Sequence, residues 1–178
     1  MFIPGASMER LVLMLQDYDR RPHYFPDTIA TSKLLCRSGK DRFRYSMRLK
    51  EPAVLNVESD VTWERVDPHR WCVRSYSTNV REAGKDHGYL RRLYSYWRFA
   101  ETDKGVYVEG ETITLSDEFS SMARVFGSAV MGLSPEKSLK HSLVEMRAAV
   151  LKPGLQIVGP REDAPECPET FHPAACAN

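Results

Sequence analysis

Histidine and cysteine carry most of the reactive chemistry that this sequence offers. Asp86 and His87 are adjacent, so on a strand they would point to opposite faces and could not act together as an acid–base pair. His23, His69 and His141 have no serine or cysteine at a recognisable motif spacing. The sequence alone does not exclude a hydrolytic triad whose three residues meet only in the folded chain. Because no motif supports one, the sequence predicts no catalytic residue.

Four cysteines, Cys36, Cys72, Cys167 and Cys176, lie far apart except for the last two, and no CxxC motif occurs. No export signal is visible at the start of the chain, so free thiols are expected. Cys167, His172 and Cys176 are three candidate ligands in a proline-rich segment, one short of a structural zinc site. We therefore predict no metal site and no cofactor.

Charged residues alternate with apolar ones along several segments. They include Arg42, Arg44 and Arg48 on one segment, Glu58, Asp60 and Glu64 on the next, and Arg98 with Glu109 or Glu111 later in the chain. One interpretation is a buried anion or acid–base site. We favour cross-strand ion pairs on a solvated face, since the alternation places these charges opposite the tryptophans.

Period-two alternation of apolar and other residues predicts half-buried antiparallel strands. It runs through residues 42–49, 55–64, 71–78, 92–99 and 106–114, and residues 28–37 form a less regular sixth strand. Turn residues such as those at 51–52, 67–68, 83–85 and 103–105 separate them. The middle of the chain is therefore predicted to be a meandering antiparallel sheet.

Helical spacing of apolar residues predicts a helix on each side of this sheet. Ser7 is the expected N-cap of a helix over residues 7–20, and residues 21–27 leave room for one short helical turn. Residues 119–131 are a short helix or compact loop. Ser134 followed by Pro135 starts a long helix that ends near residue 151. On it, Leu139, Leu143 and Met146 are expected to face the sheet.

Composition restricts the class of protein. Lys plus Arg number 25 and Asp plus Glu 24, giving a net charge of +1, which argues against a nucleic-acid partner. No apolar run is long enough to span a bilayer, and we expect a cytoplasmic location. Residues 1–151 are predicted to form one domain. Residues 152–178 form a proline-rich tail, poorly ordered or draped on the surface, whose removal should cost little stability.

The order of elements resembles that of the START-like (SRPBCC, helix-grip) superfamily. Residues 8–19, 95–99, 107–109 and 115–116 are similar to bacterial members of it. The resemblance implies an α+β fold: a curved antiparallel sheet of six to seven strands wrapped around a long C-terminal helix, with short N-terminal helices. Members include lipid carriers, hormone and quinone binders, and polyketide cyclases. The implied site is a cavity between the sheet and the C-terminal helix.

The start of the chain departs from the family pattern. Only Met1-Phe2-Ile3 precedes Pro4-Gly5, where the family has a full first strand, so either this strand is a stub or the true start of the protein lies upstream of Met1. The last strand, residues 106–115, would then keep part of its edge free. Because a free edge recruits other strands, we expect a homodimer through this edge, although a buried tail could cover it instead.

Turn positions predict the register of the inner face. Trp63 should pair with Val73, Val61 with Ser75, Ser59 with Ser77, Phe99 with Val108, Trp97 with Gly110 and Ser95 with Thr112. Trp71 should then lie near Phe99, and Ser75 near Ser95. This register gives an aromatic end of Trp63, Trp71, Trp97, Phe99 and Val108, where Gly110 leaves room beside Trp97. It gives a hydroxyl end of Ser59, Ser75, Ser77, Ser95, Thr112 and Thr114. The predicted site also includes Tyr45, Met47, Val57, Val61, Val73, Leu139, Leu143 and Met146.

Three functions follow from this arrangement. We favour a binder or carrier of a neutral, hydrophobic or amphipathic small molecule, such as a lipid, a quinone or a polyketide-like compound. Its apolar body would lie against the tryptophans and its polar group at the serines. The first alternative is a cyclase or aromatase type of enzyme that uses the same cavity. The second is a protein-interaction module without a cavity.

Overall fold

The computed structural model describes residues 1–50, 54–82, 90–116 and 135–168. The predicted helix or loop at 119–131 lies outside these residues. The elements are β1 (Phe2–Pro4), α1 (Met8–Gln16), a 3₁₀ turn (Tyr18–Arg20), α2 (Arg21–Tyr24), β2 (Ile29–Ser38), β3 (Arg42–Leu49), β4 (Leu55–Asp67), β5 (Arg70–Glu82), β6 (Leu90–Thr102), β7 (Gly105–Ser116) and α3 (Pro135–Leu151).

All seven strands form one antiparallel sheet in the order β1-β7-β6-β5-β4-β3-β2. Strands β2 to β7 are neighbours in sequence order, as short turns between alternating segments require. β1 closes onto β7 at the opposite edge from β2. We call the face of this sheet that packs against α1 and α3 the inner face. The sheet and its C-terminal helix confirm the predicted helix-grip α+β fold.

The first helix begins where the sequence predicts. Ser7 is its N-cap, and its hydroxyl accepts a hydrogen bond from the Arg10 amide at 3.3 Å. The helix ends at Gln16 rather than near residue 20, because the backbone of Asp17 leaves the helical conformation. The buried Asp17 carboxylate accepts a hydrogen bond from the Tyr24 hydroxyl at 2.6 Å. A short polar side chain with such a partner competes with the helix.

Helix α3 contributes Met146, Ala149 and Val150 to the main core, with Leu143 partly buried against it. Leu139 is half-buried. Arg10 on α1 holds the end of this helix. Its guanidinium donates to the Val150 carbonyl at 2.7 Å and also to the carbonyls of Lys152 and Leu155. An arginine on the last carbonyls of a helix satisfies acceptors that have no partner within the helix. The two covering helices are thereby tied together.

The first strand is as short as the sequence implies. β1 pairs with residues 105–107 of β7, and Met1 exchanges two backbone hydrogen bonds with Val108, at 2.6 and 2.7 Å. From Glu109 to Ser116, β7 has no second partner strand among the described residues. Part of the sheet edge is therefore open in the described structure.

Cysteine chemistry corrects the expectation of free thiols. Cys36 on β2 forms a disulfide with Cys167, and Cys72 is also disulfide-bonded. Next to the first bond, Arg37 forms a parallel β-bridge with Glu166. The Arg37 amide donates to the Pro165 carbonyl at 2.9 Å, and the Cys167 amide donates to the Arg37 carbonyl at 3.0 Å. Sequence spacing could not predict this, because the two cysteines are 131 residues apart.

The described part of the predicted tail, residues 152–168, follows the surface of the domain. Leu155, Ile157 and Ala164 pack against the main core, and the Arg161 guanidinium donates to the Leu34 carbonyl at 3.1 Å. Together with the disulfide, these contacts attach residues 152–168 to the domain. The domain boundary at residue 151 stays a prediction.

No helix in the described ranges is both long and apolar enough to cross a bilayer.

Candidate functional site: the inner face of the sheet

The predicted strand register is confirmed at every pair. The structure places Trp63 opposite Val73, Val61 opposite Ser75, Ser59 opposite Ser77, Trp71 opposite Phe99, Ser75 opposite Ser95, Phe99 opposite Val108, Trp97 opposite Gly110 and Ser95 opposite Thr112. Because side chains alternate along a strand, a correct register puts all of these residues on one face. The strand residues predicted for the site are therefore neighbours.

The aromatic end of this face is packed by the protein itself. Trp63 is 3% exposed and Phe99 2%, and their rings are nearly parallel with centroids 6.2 Å apart. Trp71 meets Trp63 edge-on at 6.3 Å. Val73 and Val108 are buried in the same core cluster. Trp71 and Trp97 are half-buried and retain more exposed surface than the other residues of this end.

Gly110 does not leave room for a ligand, which corrects the sequence-based interpretation. A Cβ atom at Gly110 would lie 2.5 Å from Cζ3 of Trp97 and 2.7 Å from its Cε3. The indole therefore lies across the glycine backbone and fills that space. A glycine in a strand commonly marks such a close approach.

Tyr18 is a central residue that the sequence analysis missed. Its hydroxyl accepts a hydrogen bond from Nε1 of Trp63 at 2.9 Å, and its ring lies against Phe43 and stacks on Tyr45. Complete burial raises the pKa of Tyr18 well above its usual value. A buried tryptophan needs a hydrogen-bond acceptor. That need could have pointed to a polar partner for Trp63, although not to which one.

Arg21 is the second missed residue, and it places a cation against inner-face Tyr45, whereas the sequence pattern placed the charged residues on the opposite face. Its guanidinium carbon lies 4.3 Å from the ring centroid of Tyr18 and 4.6 Å from that of Tyr45. Its Nη2 donates to the Leu15 carbonyl at 2.9 Å. Its buried Nε has no hydrogen-bond partner among the described residues. Strand alternation cannot predict Arg21, because it lies at the start of α2.

The hydroxyl end divides into buried and accessible residues. Ser59 and Ser77 are each 1% exposed. The β5–β6 ladder ends at Tyr76 opposite Tyr94, and the next amide, of Leu93, donates to the Ser77 hydroxyl at 2.8 Å. Ser77 thus has a structural role.

The other hydroxyl residues are more open. Ser75 and Ser95 are half-buried, and Thr112 is exposed. The Ser75 hydroxyl lies 3.5 Å from that of Tyr45. The accessible hydroxyl groups of the inner face therefore include the row of Ser75, Ser95 and Thr112, together with exposed Thr114 further along β7.

These hydroxyl residues lie between two apolar clusters. The main core includes Trp63, Val73, Phe99 and Val108, with Met47 packed beside it. A second, smaller cluster contains Leu55, Val57 and Leu90, with Leu49 and Val80 packed against it. Ser59, Ser75, Ser77 and Ser95 occupy the rows between the two clusters. We call this group the serine band. On β4 to β6, small polar side chains therefore lie between the buried residues of the two clusters, whereas Leu49 on β3 packs against both clusters.

Two cavities are described, and neither is lined by the serine band among the described residues. The first, of about 510 Å³, lies at the end of β5–β7 and includes Trp71, Phe99 and Val108, together with Tyr96 and Arg98 from the opposite side of the sheet. The second, of about 380 Å³, lies between α2 and Leu155. Three predicted site residues therefore reach a cavity, at a different end of the sheet from the serines.

The outer face carries the cross-strand ion pairs that the sequence predicts. Arg44 binds both carboxylate oxygens of Asp60, at 2.6 and 2.9 Å, and this hydrogen-bonded partner raises the pKa of Arg44. Arg98 lies 3.3 Å from Glu109. One detail differs from the expected solvated face, since Asp60 is buried. A bidentate arginine compensates such a buried carboxylate.

No protein-family model and no curated protein matches the chain. Solved structures do match. A protein from Thermus thermophilus has a TM-score of 0.61 at 17% identity, covering 85% of this chain and 93% of that one. A START superfamily protein from Mycobacterium smegmatis has a TM-score of 0.53 at 10% sequence identity, and the match covers 83% of this chain and 91% of that one. The di-domain ARO/CYC StfQ of the steffimycin biosynthetic pathway has a TM-score of 0.53 at 15% sequence identity, and the match covers 84% of this chain and 48% of that one. The chain therefore has the START-like helix-grip fold.

Proposed function

We propose that this protein binds an amphipathic small molecule at the serine band of the inner face. The observation that carries the proposal is the group of small hydroxyl residues that lies on β4 to β6 between the main core and the second apolar cluster. A core built for stability alone would fill these rows with apolar side chains. Ligand sites combine apolar walls with a few polar groups that fix orientation.

The residues around the band indicate what the ligand carries. Half-buried Trp97 and Leu49 offer apolar surface for a ring or acyl body, and Leu49 packs against the buried cluster of Leu55, Val57 and Leu90. Ser75, Ser95 and the Tyr45 hydroxyl offer hydrogen bonds for its polar group. Arg21, stacked on Tyr45, adds a donor-rich cation beside them. A head group that accepts hydrogen bonds, such as a carbonyl or carboxyl, suits these donors better than a second cation.

The remaining residues of the predicted site support this proposal to different degrees. Met47 and Leu143 are partly buried against the main core, and Met146 is fully part of it. Leu139 is half-buried on α3. We place Met47, Leu139 and Leu143 at the wall of the site. Trp63, Phe99, Val61, Val73, Val108 and Met146 act as the packed support behind it.

The deciding experiment is binding of a fluorescent fatty acid, cis-parinaric acid, combined with native mass spectrometry of the gently purified protein. Ser75→Val and Trp97→Ala should each weaken binding while the protein stays folded. Thr62→Val, the same type of change on the outer face of β4, is the control and should bind normally. Equal binding by all four proteins, or no binding of any amphipathic compound, contradicts the proposal.

A cyclase or aromatase type of enzyme is the alternative that the structural likeness to the di-domain ARO/CYC favours. It would use the same residues to hold a polyketide-like compound. Turnover of such a compound by the wild-type protein, lost in Ser75→Val, would distinguish it from simple carriage. Without ligand binding and without turnover, the remaining choice is the protein-interaction module.

We also propose a homodimer formed by pairing of the β7 edges of two copies. Beyond Val108 this edge has no outer partner among the described residues, and it carries exposed Ile113 and Leu115. An open strand edge favours strand addition, and the exposed apolar side chains of Ile113 and Leu115 lie on this open part of β7. Light scattering coupled to size exclusion should show a dimer that Ile113→Lys dissociates. Val144→Lys, at an equally exposed position on α3, should leave it intact. A monomeric wild-type protein contradicts the pairing.

The cytoplasmic location stays a prediction that the disulfides argue against, because such bonds persist mainly in oxidising compartments. Alkylation of the protein in freshly lysed cells, before any oxidation, tests it. Labelling of Cys36 and Cys167 as free thiols would support a reducing location. Protection of both would place the protein in an oxidising one.

A further inference from the structure

We propose that Asp27, His141 and Glu145 form a binding site for a divalent transition-metal ion. One donor atom of each residue lies within 4.8 Å of the other two. Nε2 of His141 is 3.8 Å from Oδ2 of Asp27 and 3.9 Å from Oε2 of Glu145. The three residues come from α3 and from the segment between α2 and β2, so the site does not depend on the inner face or on the proposed ligand.

Two of the donors are fixed by the helix. His141 and Glu145 are four residues apart on α3, which places them on the same side of it. Asp27 belongs to the turn that α3 packs against, and its own amide donates to Oε1 of Glu145 at 2.8 Å. The same glutamate therefore holds the turn in place and presents its second oxygen toward the histidine.

The glutamate is organised as metal-binding carboxylates commonly are. It is 7% exposed, and the Thr28 hydroxyl donates to its Oε2 at 2.5 Å. Hydrogen bonds from neighbouring groups hold metal-binding carboxylates in position. Each carboxylate oxygen has two lone pairs, so Oε2 can accept from Thr28 and still bind an ion. A cation would also offset the cost of burying this charge.

The donor set selects the class of metal. One imidazole nitrogen and two carboxylates suit zinc and other first-row transition metals, whereas calcium and magnesium prefer oxygen donors alone. In a tetrahedral zinc site neighbouring donors are about 3.3 Å apart. The observed 3.8 and 3.9 Å are slightly wider. Asp27 and His141, whose side chains are 74% and 51% exposed, can close this difference by small rotations.

Another arrangement would give the same distances without a metal: a protonated His141 paired with the two carboxylates. The two explanations differ in what added metal does. A metal site binds one ion per chain, and that binding stabilises the native state because the unfolded chain lacks the assembled site. A simple ion pair gives neither effect.

The experiment is titration of the chelator-treated, non-reduced protein with Zn²⁺ by calorimetry, together with thermal melting and with Co²⁺ as a spectroscopic probe. We expect one site per chain, a rise in Tm on adding Zn²⁺, and a visible Co²⁺ spectrum. His141→Gln and Asp27→Asn should each weaken Zn²⁺ binding at least about tenfold. Glu145 is left unchanged because its removal would also disturb the turn.

His69→Gln is the matched control, since His69 lies 3.9 Å from a carboxylate oxygen of Glu101. It should bind Zn²⁺ like the wild type. Absence of saturable Zn²⁺ binding in the wild type overturns the site. So does binding that His141→Gln leaves unchanged, which would place the metal on other residues. Neither result bears on the fatty-acid experiment, so failure of one proposal is distinguishable from failure of the other.

Discussion

The indole nitrogen of Trp63 donates to the hydroxyl of Tyr18 at 2.9 Å, and this bond joins the middle of the sheet to the turn that follows α1. Both residues are buried, with Tyr18 fully so. Tyr18 also contacts Phe43, Tyr45 and the Arg21 guanidinium. A single hydrogen-bonded pair thus organises the boundary between the packed aromatic end and the polar groups beside it.

Tyr18→Phe should destabilise the protein by about 1–3 kcal/mol, because it leaves the Trp63 N–H buried without an acceptor. Urea unfolding measures the change. Tyr107→Phe is the control, since Tyr107 is exposed, and it should alter the stability by less than about 0.5 kcal/mol. If Tyr18→Phe also stays within that range, the bond contributes little and the pair does not organise this region.

Gly110→Ala should displace the Trp97 indole, since the new Cβ would lie 2.5 Å from the ring. We expect a loss of about 1–3 kcal/mol, typical of overpacking, and a shift in tryptophan fluorescence. Trp97→Leu in the same chain should restore much of the lost stability by removing the clash. Wild-type stability in Gly110→Ala alone would show that the ring moves aside freely.

Loss of the Cys36–Cys167 bond should cost about 2–5 kcal/mol, because the bond closes a loop of 131 residues in the unfolded chain. The double variant Cys36→Ser/Cys167→Ser should therefore melt below the wild type under non-reducing conditions. Truncation after Lys152 removes Cys167 and the packed Leu155 and Ile157, so its loss should be at least as large. A truncated chain as stable as the wild type would restore the expectation of a dispensable tail.

High pH should weaken the protein through Tyr18. Burial raises the pKa of Tyr18 above its ordinary value, so the native state keeps this proton after the unfolded chain has released its own. The stability that this group contributes is complete below about pH 10 and falls as pH rises above it. Unfolding of wild type and Tyr18→Phe between pH 8 and about pH 11 tests this. A stability curve equally steep in both proteins contradicts it.

The inner-face register was predictable because strand pairing follows local rules. Alternation fixes which side chains share a face, and the turns fix which residues lie opposite, so Trp63–Val73 and Ser75–Ser95 follow from the sequence. The short first strand was equally visible in the residues before Pro4-Gly5. The superfamily resemblance added the position of the C-terminal helix.

Other features depend on how distant segments meet, and local patterns contain no record of that. The Cys36–Cys167 bond, Arg21 stacked on Tyr45, and Asp27 beside His141 each join parts of the chain that only packing brings together. At Gly110 the sequence predicted free space beside Trp97, whereas in the structure the indole itself fills that space. Periodicity and turn residues determined the sheet and its register. The tertiary structure alone decided which side chains fill the inner face, because packing depends on volumes and paths contributed by the whole chain.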